Sequence, residues 1–320
     1  MKKLSIVLPT YNRKDYLNQT LEAFSDQMNQ YKDEVNFIVC NNASTDGTDI
    51  LLKEVNAKRP YYQYINFTDH VPVGYSLSRA IDQTTDEYVL MWGDDDLPAP
   101  FMLSVLLDSL NENGNVGILH FNRLVGYDNR VKTINKVSVM QNDLGWNTLH
   151  YKDMNSFLNK YVIDLTFMSS FVFKKSMWGR VKTDTHYGYE FLGKILHEYK
   201  PDDKLIYIQY PLCIQRKPYN RPWMNKSPYY RFIGIPNMYA DFEKWGIIDS
   251  AKDLWMNKGN TTREFLSIMS QTSVYKKEYR PLIKDLLKSQ YSFKRKALTF
   301  FFVFLSPSWL YKLIRKRVFK

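Results

Sequence analysis

The sequence predicts an α/β fold on a doubly wound, mostly parallel sheet with a helical C-terminal extension. Three observations predict it. Apolar runs of strand length alternate with segments of helical period through about the first 120 residues. Those runs are continuous rather than alternating, as expected of strands buried on both faces. Polar, turn-forming clusters follow the first, second and fourth runs, where a parallel sheet places its ligand. A chain of 320 residues suits one large or two smaller α/β domains, and 44% hydrophobic content is ordinary for a globular protein.

LSIVLP (4–9) reads as the first buried strand. Leu17, Leu21, Phe24 and Met28 recur at helical spacing after it. VNFIVC (35–40) is the second strand, and it leads into NNASTDGT, a cluster of turn and N-cap residues. Ile50, Leu51 and Val55 mark the next helix, and YYQYINF (61–67) the third strand. Ser76–Gln83 reads as a helix and EYVLMW (87–92) as the fourth strand. Pro98 is placed to open a helix carrying Met102, Val105, Leu106 and Leu110. VGILHF (116–121) is the fifth strand. A hairpin over Leu124–Val139 turns at Asp128-Asn129. Beyond it, Asp153–Val162 and Tyr189–Tyr199 read as helices and LIYIQYPL (205–212) as a strand. From Ser227 the chain is mainly helical.

Three clusters then fall on one rim: Thr10–Arg13, Asn41–Thr48 and Asp94–Asp96. Consecutive carboxylates at a strand end repel unless a proton or a cation neutralises them. A hard divalent ion, Mn2+ or Mg2+, held partly by substrate phosphates is the usual remedy. Asp residues capping the next helix are the bland alternative.

SIVLPTYNR (5–13), VCNNASTDGT (39–48), VGYSLSRA (73–80) and MWGDDDLPAP (91–100) together resemble the signature of family 2 glycosyltransferases. The resemblance is close over roughly the first 120 residues and looser to about 215. It implies the GT-A fold, a nucleotide-diphosphate-sugar donor, with UDP the leading expectation, and transfer with inversion. Carried over, Pro9, Thr10, Tyr11 and Arg13 would line the nucleotide pocket, with Tyr11 stacked on the base. Asn41 stands where the family usually has Asp against the base, with Asn42 beside it. An amide still offers a donor and an acceptor, but the departure leaves the base open. Gly74 would allow close backbone approach, and Arg79 would reach the diphosphate or a neighbouring acid. Asp94–Asp96 match the Asp-x-Asp region, with Asp95 and Asp96 nearest the metal. An acceptor hydroxyl attacking C1 needs a general base. The family's position for it falls on THYGYEFLGKIL (185–196), which points to Glu190, with Asp184 the second candidate and His186 nearby.

QRKPYNRPWMNKS (215–227), with Arg216, Lys217, Arg221, Trp223 and Lys226, reads as a lid that would close over the diphosphate. The net charge is +11. Residues 276–320 hold 13 Lys/Arg against Glu278 and Asp285, which leaves 31 basic and 31 acidic residues in the body. Basicity confined to a tail argues against a nucleic-acid cleft. The apolar stretch Ala297–Leu305 is too short to span a bilayer. After Pro307, Trp309, Leu310, Leu313, Ile314 and Val318 share one helical face, while Lys312, Arg315 and Lys316 lie on another. That pattern suits an in-plane helix on an anionic membrane. The N-terminus lacks a signal-peptide core, and the two cysteines, Cys40 and Cys213, are not expected to pair.

The reading that follows is a catalytic domain over 1–225, a helical extension over 226–292 and a membrane-associating tail over 293–320. The protein would sit at the cytoplasmic face of the membrane and glycosylate a lipid-linked saccharide in capsule or other surface-glycan synthesis. A catalytically inactive scaffold for another transferase is the alternative.

Overall fold

The computed structural model describes residues 2–128, 134–139, 144–186, 188–217, 230, 234–257, 293–307, 309–310 and 313–314. The chain forms two compact units. One comprises Met1–Arg180 and Lys194–Asn220, the other Val181–Gly193 and Arg221–Lys320.

The first unit is built on one ten-stranded sheet. Its first half follows the predicted alternation: β1 (Leu4–Thr10), α1 (Lys14–Tyr31), β2 (Val35–Asn41), α2 (Thr48–Lys58), β3 (Tyr62–Asn66), α3 (Val73–Asp82) and β4 (Tyr88–Met91). Strands β3, β2, β1 and β4 lie side by side and run parallel. Parallel neighbours need crossovers, and α1, α2 and α3 supply them. Leu17, Leu21, Phe24 and Met28 of α1 are fully buried. Phe24 packs edge-on against Trp92 with ring centroids 5.0 Å apart. The Tyr62 hydroxyl donates to the Leu21 carbonyl at 2.6 Å, so this large buried ring leaves no polar atom unpaired.

Beyond β4 the sheet changes character. The order continues β4, β9 (Phe171–Lys174), β6 (Val116–Asp128), β10 (Lys204–Lys217), β5 (Leu97–Pro98). Strand β9 is antiparallel to both its neighbours, whereas β6 and β10 pair in parallel. At the margins, β7 (Ile134–Val139) pairs antiparallel with β6, and β8 (Thr148–Tyr151) with β10. The predicted hairpin is therefore present, but its first arm is the continuation of the fifth strand rather than a separate segment.

Two other expectations are corrected. Pro98 does not open a helix. It forms with Leu97 a two-residue strand paired with Ile214 and Cys213, and α4 (Met102–Asn113) begins after Phe101. The Ala99 amide also donates to the Leu212 carbonyl at 2.8 Å, so sheet pairing holds this stretch extended. Residues 215–217 are not loop, because β10 runs through Lys217 and pairs with β6 to its end. The remainder of the expected lid, Arg221, Trp223 and Lys226 included, lies outside the described residues.

Helix α5 (Met154–Tyr161) lies in the first unit; the short turn Asp184–His186 and the start of α6 (Glu190–His197), up to Gly193, belong to the second. Helices α7 (Ile235–Lys244), α8 (Ala251–Asn257) and α9 (Phe293–Phe300) follow, the last continuing as one wider turn over Phe301–Leu305. No helix among the described residues is long and apolar enough to cross a membrane.

Candidate active site

The acidic triplet lies just past the end of β4, beside the end of β1. Parallel pairing of β1 with β4 brings the two strand ends together, and the first turn of α1 follows immediately. The Thr10 hydroxyl donates to Asp94 at 2.8 Å. Arg13 pairs with Asp94 at 2.9 Å and bonds Asp95 with its other guanidinium arm. The Thr20 hydroxyl is 3.0 Å from the carbonyls of both Asp94 and Asp96. The Trp92 indole N–H donates to the Asp96 carbonyl at 3.2 Å, tying the triplet to the core.

Asp96 faces inward. One carboxylate oxygen accepts from the Ser169 hydroxyl at 2.6 Å, the other from the Arg216 backbone N–H at 3.1 Å. Gly93 is required here, because a Cβ at this position would lie 2.7 Å from an Asp96 carboxylate oxygen. Burial raises all three carboxyls. Asp94 is pushed up to about 7 even with Arg13 beside it. Asp96, further repelled by Asp95, stands well above the ordinary carboxylate range. Asp95 is the most exposed of the three side chains.

A second layer surrounds Arg13. Its guanidinium carbon sits 4.7 Å from the centre of the Tyr16 ring, and that of Arg216 lies 5.3 Å from the same ring. The Tyr16 hydroxyl donates to Asp128 at 3.0 Å. Arg216 pairs with Asp128 at 3.2 Å and donates to Gln19 at 2.8 Å. Arg216 and Asp128 are both buried.

Along the same rim Tyr11 is half exposed and stacks on His70, ring centroids 3.9 Å apart. Asn41 donates to the Asn66 side chain at 2.9 Å and accepts from the Ser44 amide at 3.1 Å. Asn42 grips the backbone of Val71 with both ends of its amide, at 2.8 and 3.2 Å. Both asparagines thus brace the loops that follow β2 and β3. Asn12, at φ 52°, accepts from the Thr45 amide at 2.7 Å and joins the first of these loops to the end of β1. Arg79 lies over the Phe67 ring at 3.7 Å and pairs with Asp69 at 3.3 Å, rather than with the triplet. Gly74 sits in the first turn of α3, and Pro9 pairs with Cys40 inside the sheet.

Asp184 and Glu190 belong to the second unit. Glu190 is the first residue of α6, and its carbonyl accepts from the Thr183 hydroxyl at 3.0 Å. One of its carboxylate oxygens is buried with no hydrogen-bond partner among the described residues. His186 is buried against Asp241 at 2.8 Å, and burial lowers its pKa.

The family model for glycosyl transferase family 2 matches residues 5–179, more than half of the chain. The chain belongs to glycosyl transferase family 2. A relative within reach of sequence comparison is the abequosyltransferase RfbV of Salmonella typhimurium, 23% identical over 231 residues. That match spans 67% of this chain and 66% of the relative, a little under two thirds of its length. Among solved structures, S. aureus TarS 1–349 superposes with a TM-score of 0.62 at 13% identity, covering 89% of this chain and 80% of the other. The mannosyltransferase PcManGT from Pyrobaculum calidifontis, solved with GDP-Man and Mn2+, gives 0.55 at 16% identity over 99% and 83%. These likenesses establish the GT-A fold.

The family implies a divalent ion at the triplet, and the residues meet that demand only at Asp95. Asp94 and Asp96 spend both oxygens on protein partners, and Asp95 gives one to Arg13. Among the described residues no three acidic, His or Cys side chains are arranged to hold a metal. The residues that complete the site, Tyr16, Thr20, Asp128 and Ser169, were not singled out from the sequence. The first two carry a local signal: Thr20 interrupts the apolar stripe of α1, and Tyr16 lies one turn before it.

Proposed function

We propose that this chain transfers a sugar, with inversion, from a nucleotide-diphosphate sugar to a hydroxyl of a lipid-linked saccharide during surface-polysaccharide synthesis. The observation that carries the reading is the joining of Thr10, Arg13 and Asp94–Asp96 at the carboxyl ends of β1 and β4. Family membership supports glycosyl transfer, and so does the likeness to an abequosyltransferase. UDP is the leading candidate for the nucleotide, since one of the TarS structures is a complex with UDP-GlcNAc.

In this reading the Tyr11–His70 pair offers a flat face for the base. Arg13 meets the diphosphate, exchanging part of its hold on the carboxylates for phosphate oxygens. Asp95 would hold a divalent ion, which when bound supplies Lewis-acid stabilisation of the departing diphosphate. Glu190 is the proposed base. It opens a helix, and one of its oxygens has no hydrogen-bond partner among the described residues, which suits it to accept the proton of the acceptor hydroxyl. The basic tail would rest on the inner face of the membrane, where a lipid-linked acceptor is found.

The test is a screen of UDP-, GDP- and deoxythymidine-diphosphate sugars for hydrolysis and transfer with Mn2+. Asp95→Ala is expected to lose at least about a hundredfold in rate and to need more Mn2+. Glu190→Gln should bind donor normally and lose transfer by at least a hundredfold, within the usual worth of a general base. Full transfer by the Glu190 variant removes it as the base. No turnover of any donor by the wild type would favour the inactive scaffold.

A further inference from the structure

We propose that Trp146, Tyr210 and Phe101 form a shelf that binds the acceptor's saccharide chain at a distance from the transfer site. Trp146 is 85% exposed, yet its ring stacks on Tyr210 with centroids 4.6 Å apart and planes 29° from parallel. Phe101, 41% exposed, lies 5.3 Å from Tyr210 between ring centroids, its plane tilted by 53°. Leu144, also exposed, lies two residues before Trp146. A contiguous group of exposed aromatic rings is costly in water, and exposed apolar patches of this kind mark contact sites.

The backbone fixes the shelf. The Gln209 amide donates to the Asn147 carbonyl at 3.1 Å, extending the β8–β10 ladder by one step and setting Tyr210 beside Trp146. Phe101 is brought in by the pairing of β5 with β10.

The chemistry selects a sugar. Segments 97–101, 144–147 and 209–214 contain no charged residue, and the polar groups beside the rings are the amides of Gln209 and Asn147. Flat apolar faces edged by neutral hydrogen-bonding groups match a pyranose, which has an apolar C–H face and a hydroxyl rim. An anionic lipid surface would call for lysine or arginine, and none is present in these segments.

The shelf shares β5 and β10 with the candidate active site. β5 follows Asp96 directly, and Arg216, which bonds Asp96, lies six residues beyond Tyr210 on β10. At about 3.3 Å per residue that is on the order of 20 Å. The shelf would therefore hold a part of the acceptor remote from the reacting hydroxyl. It would distinguish a long saccharide from a short one.

This inference rests on the glycosyl-transfer reading, and its test separates the two. Full-length wild type, Trp146→Ala and Trp146→Phe are applied to an array of defined bacterial oligosaccharides, from disaccharides to octasaccharides. Binding of UDP and GDP is measured in parallel. Wild type is expected to retain a subset of the longer glycans. Trp146→Ala should weaken that binding about tenfold, as loss of one good aromatic contact would, and Trp146→Phe should restore most of it. Nucleotide binding should be equal in all three. Equal glycan binding by wild type and Trp146→Ala overturns the shelf. So does an absence of glycan binding by the wild type, or a change confined to phosphatidylglycerol vesicles or to oligomeric state. Absence of nucleotide binding by the wild type instead counts against the transferase reading.

Discussion

His120 shows how one side chain can set the pH response of the first unit without belonging to its chemistry. It is fully buried on β6, with Nδ1 2.8 Å from the Ser170 carbonyl, so Nδ1 must carry the proton and donate. Nε2 has no hydrogen-bond partner among the described residues, and the Tyr161 and Tyr207 rings flank the imidazole. Burial pushes its pKa down to about 4. An unfolded chain takes up this proton near pH 6.5, whereas the folded one waits until about pH 4. The contribution of His120 is thus complete above pH 6.5 and is lost as pH falls from there towards 4, opposite in sign to that of the raised carboxyls of the triplet. At pH 5 the loss from this group is about 2 kcal/mol. His120→Phe should lower stability at pH 7.5 by forfeiting the Ser170 bond, yet on going to pH 5 it should lose about 2 kcal/mol less than the wild type. Urea denaturation at the two pH values checks this. The same pH 7.5-to-5 change in variant and wild type would show that His120 does not contribute to the pH response.

At the scale of elements, the half of the sheet nearest the N-terminus was legible because parallel strands buried on both faces leave continuous apolar runs. β1, β2, β3 and β4 lie within a residue or two of LSIVLP, VNFIVC, YYQYINF and EYVLMW. The other half was legible only in part: VGILHF and LIYIQYPL marked β6 and β10, but the short strands around them left no signal. β9 is the four residues FVFK and β8 the four residues TLHY, too short for a period to register. β5 is two residues whose strand character comes wholly from pairing with β10. The site divides in the same way. Arg13 and the triplet stand in recognisable local motifs, whereas Ser169, Asp128 and Arg216 meet Asp96 and Tyr16 only because distant strands become neighbours. The Arg216–Asp128 pair gives this joint a testable strength. Arg216 and Asp128 have side-chain exposures of 3% and 0%. Removing one partner strands a buried charge, which typically costs about 3–5 kcal/mol. Asp128→Asn should therefore destabilise the protein on that order. It should also weaken donor binding, because the Arg216 backbone holds Asp96. Asp69→Asn breaks the more exposed pair with Arg79 and should cost under about 1 kcal/mol. Similar losses for the two variants in denaturant melts would deny the buried pair a special role.

At the scale of the whole molecule, the uneven distribution of charge makes the proposed membrane contact testable. Residues 276–320 carry all of the +11 net charge, and 1–275 are balanced. Within the described part of this region, Phe302 and Val303 are buried, while Phe300, Phe301, Leu305, Trp309 and Leu313 are exposed. Exposed aromatic and aliphatic groups on a strongly basic segment combine the two terms that hold a peripheral protein to a bilayer: apolar insertion, and about 1 kcal/mol per cation near an anionic surface. The charge term should dominate at low salt and be screened as salt rises. Wild type should therefore sediment with phosphatidylglycerol vesicles, sediment weakly with phosphatidylcholine alone, and be partly released at about 0.5 M salt. Deleting 294–320 should abolish sedimentation, but it also removes buried Phe302 and Val303 and so risks the fold. The triple variant Lys312→Glu, Arg315→Glu, Lys316→Glu leaves those buried groups intact and lowers the net charge of the tail by six. It should weaken vesicle binding at least tenfold with an unchanged melting temperature. Retained binding by this folded variant would mean that the tail does not bring the enzyme to the membrane, and that its acceptor must be met in another way.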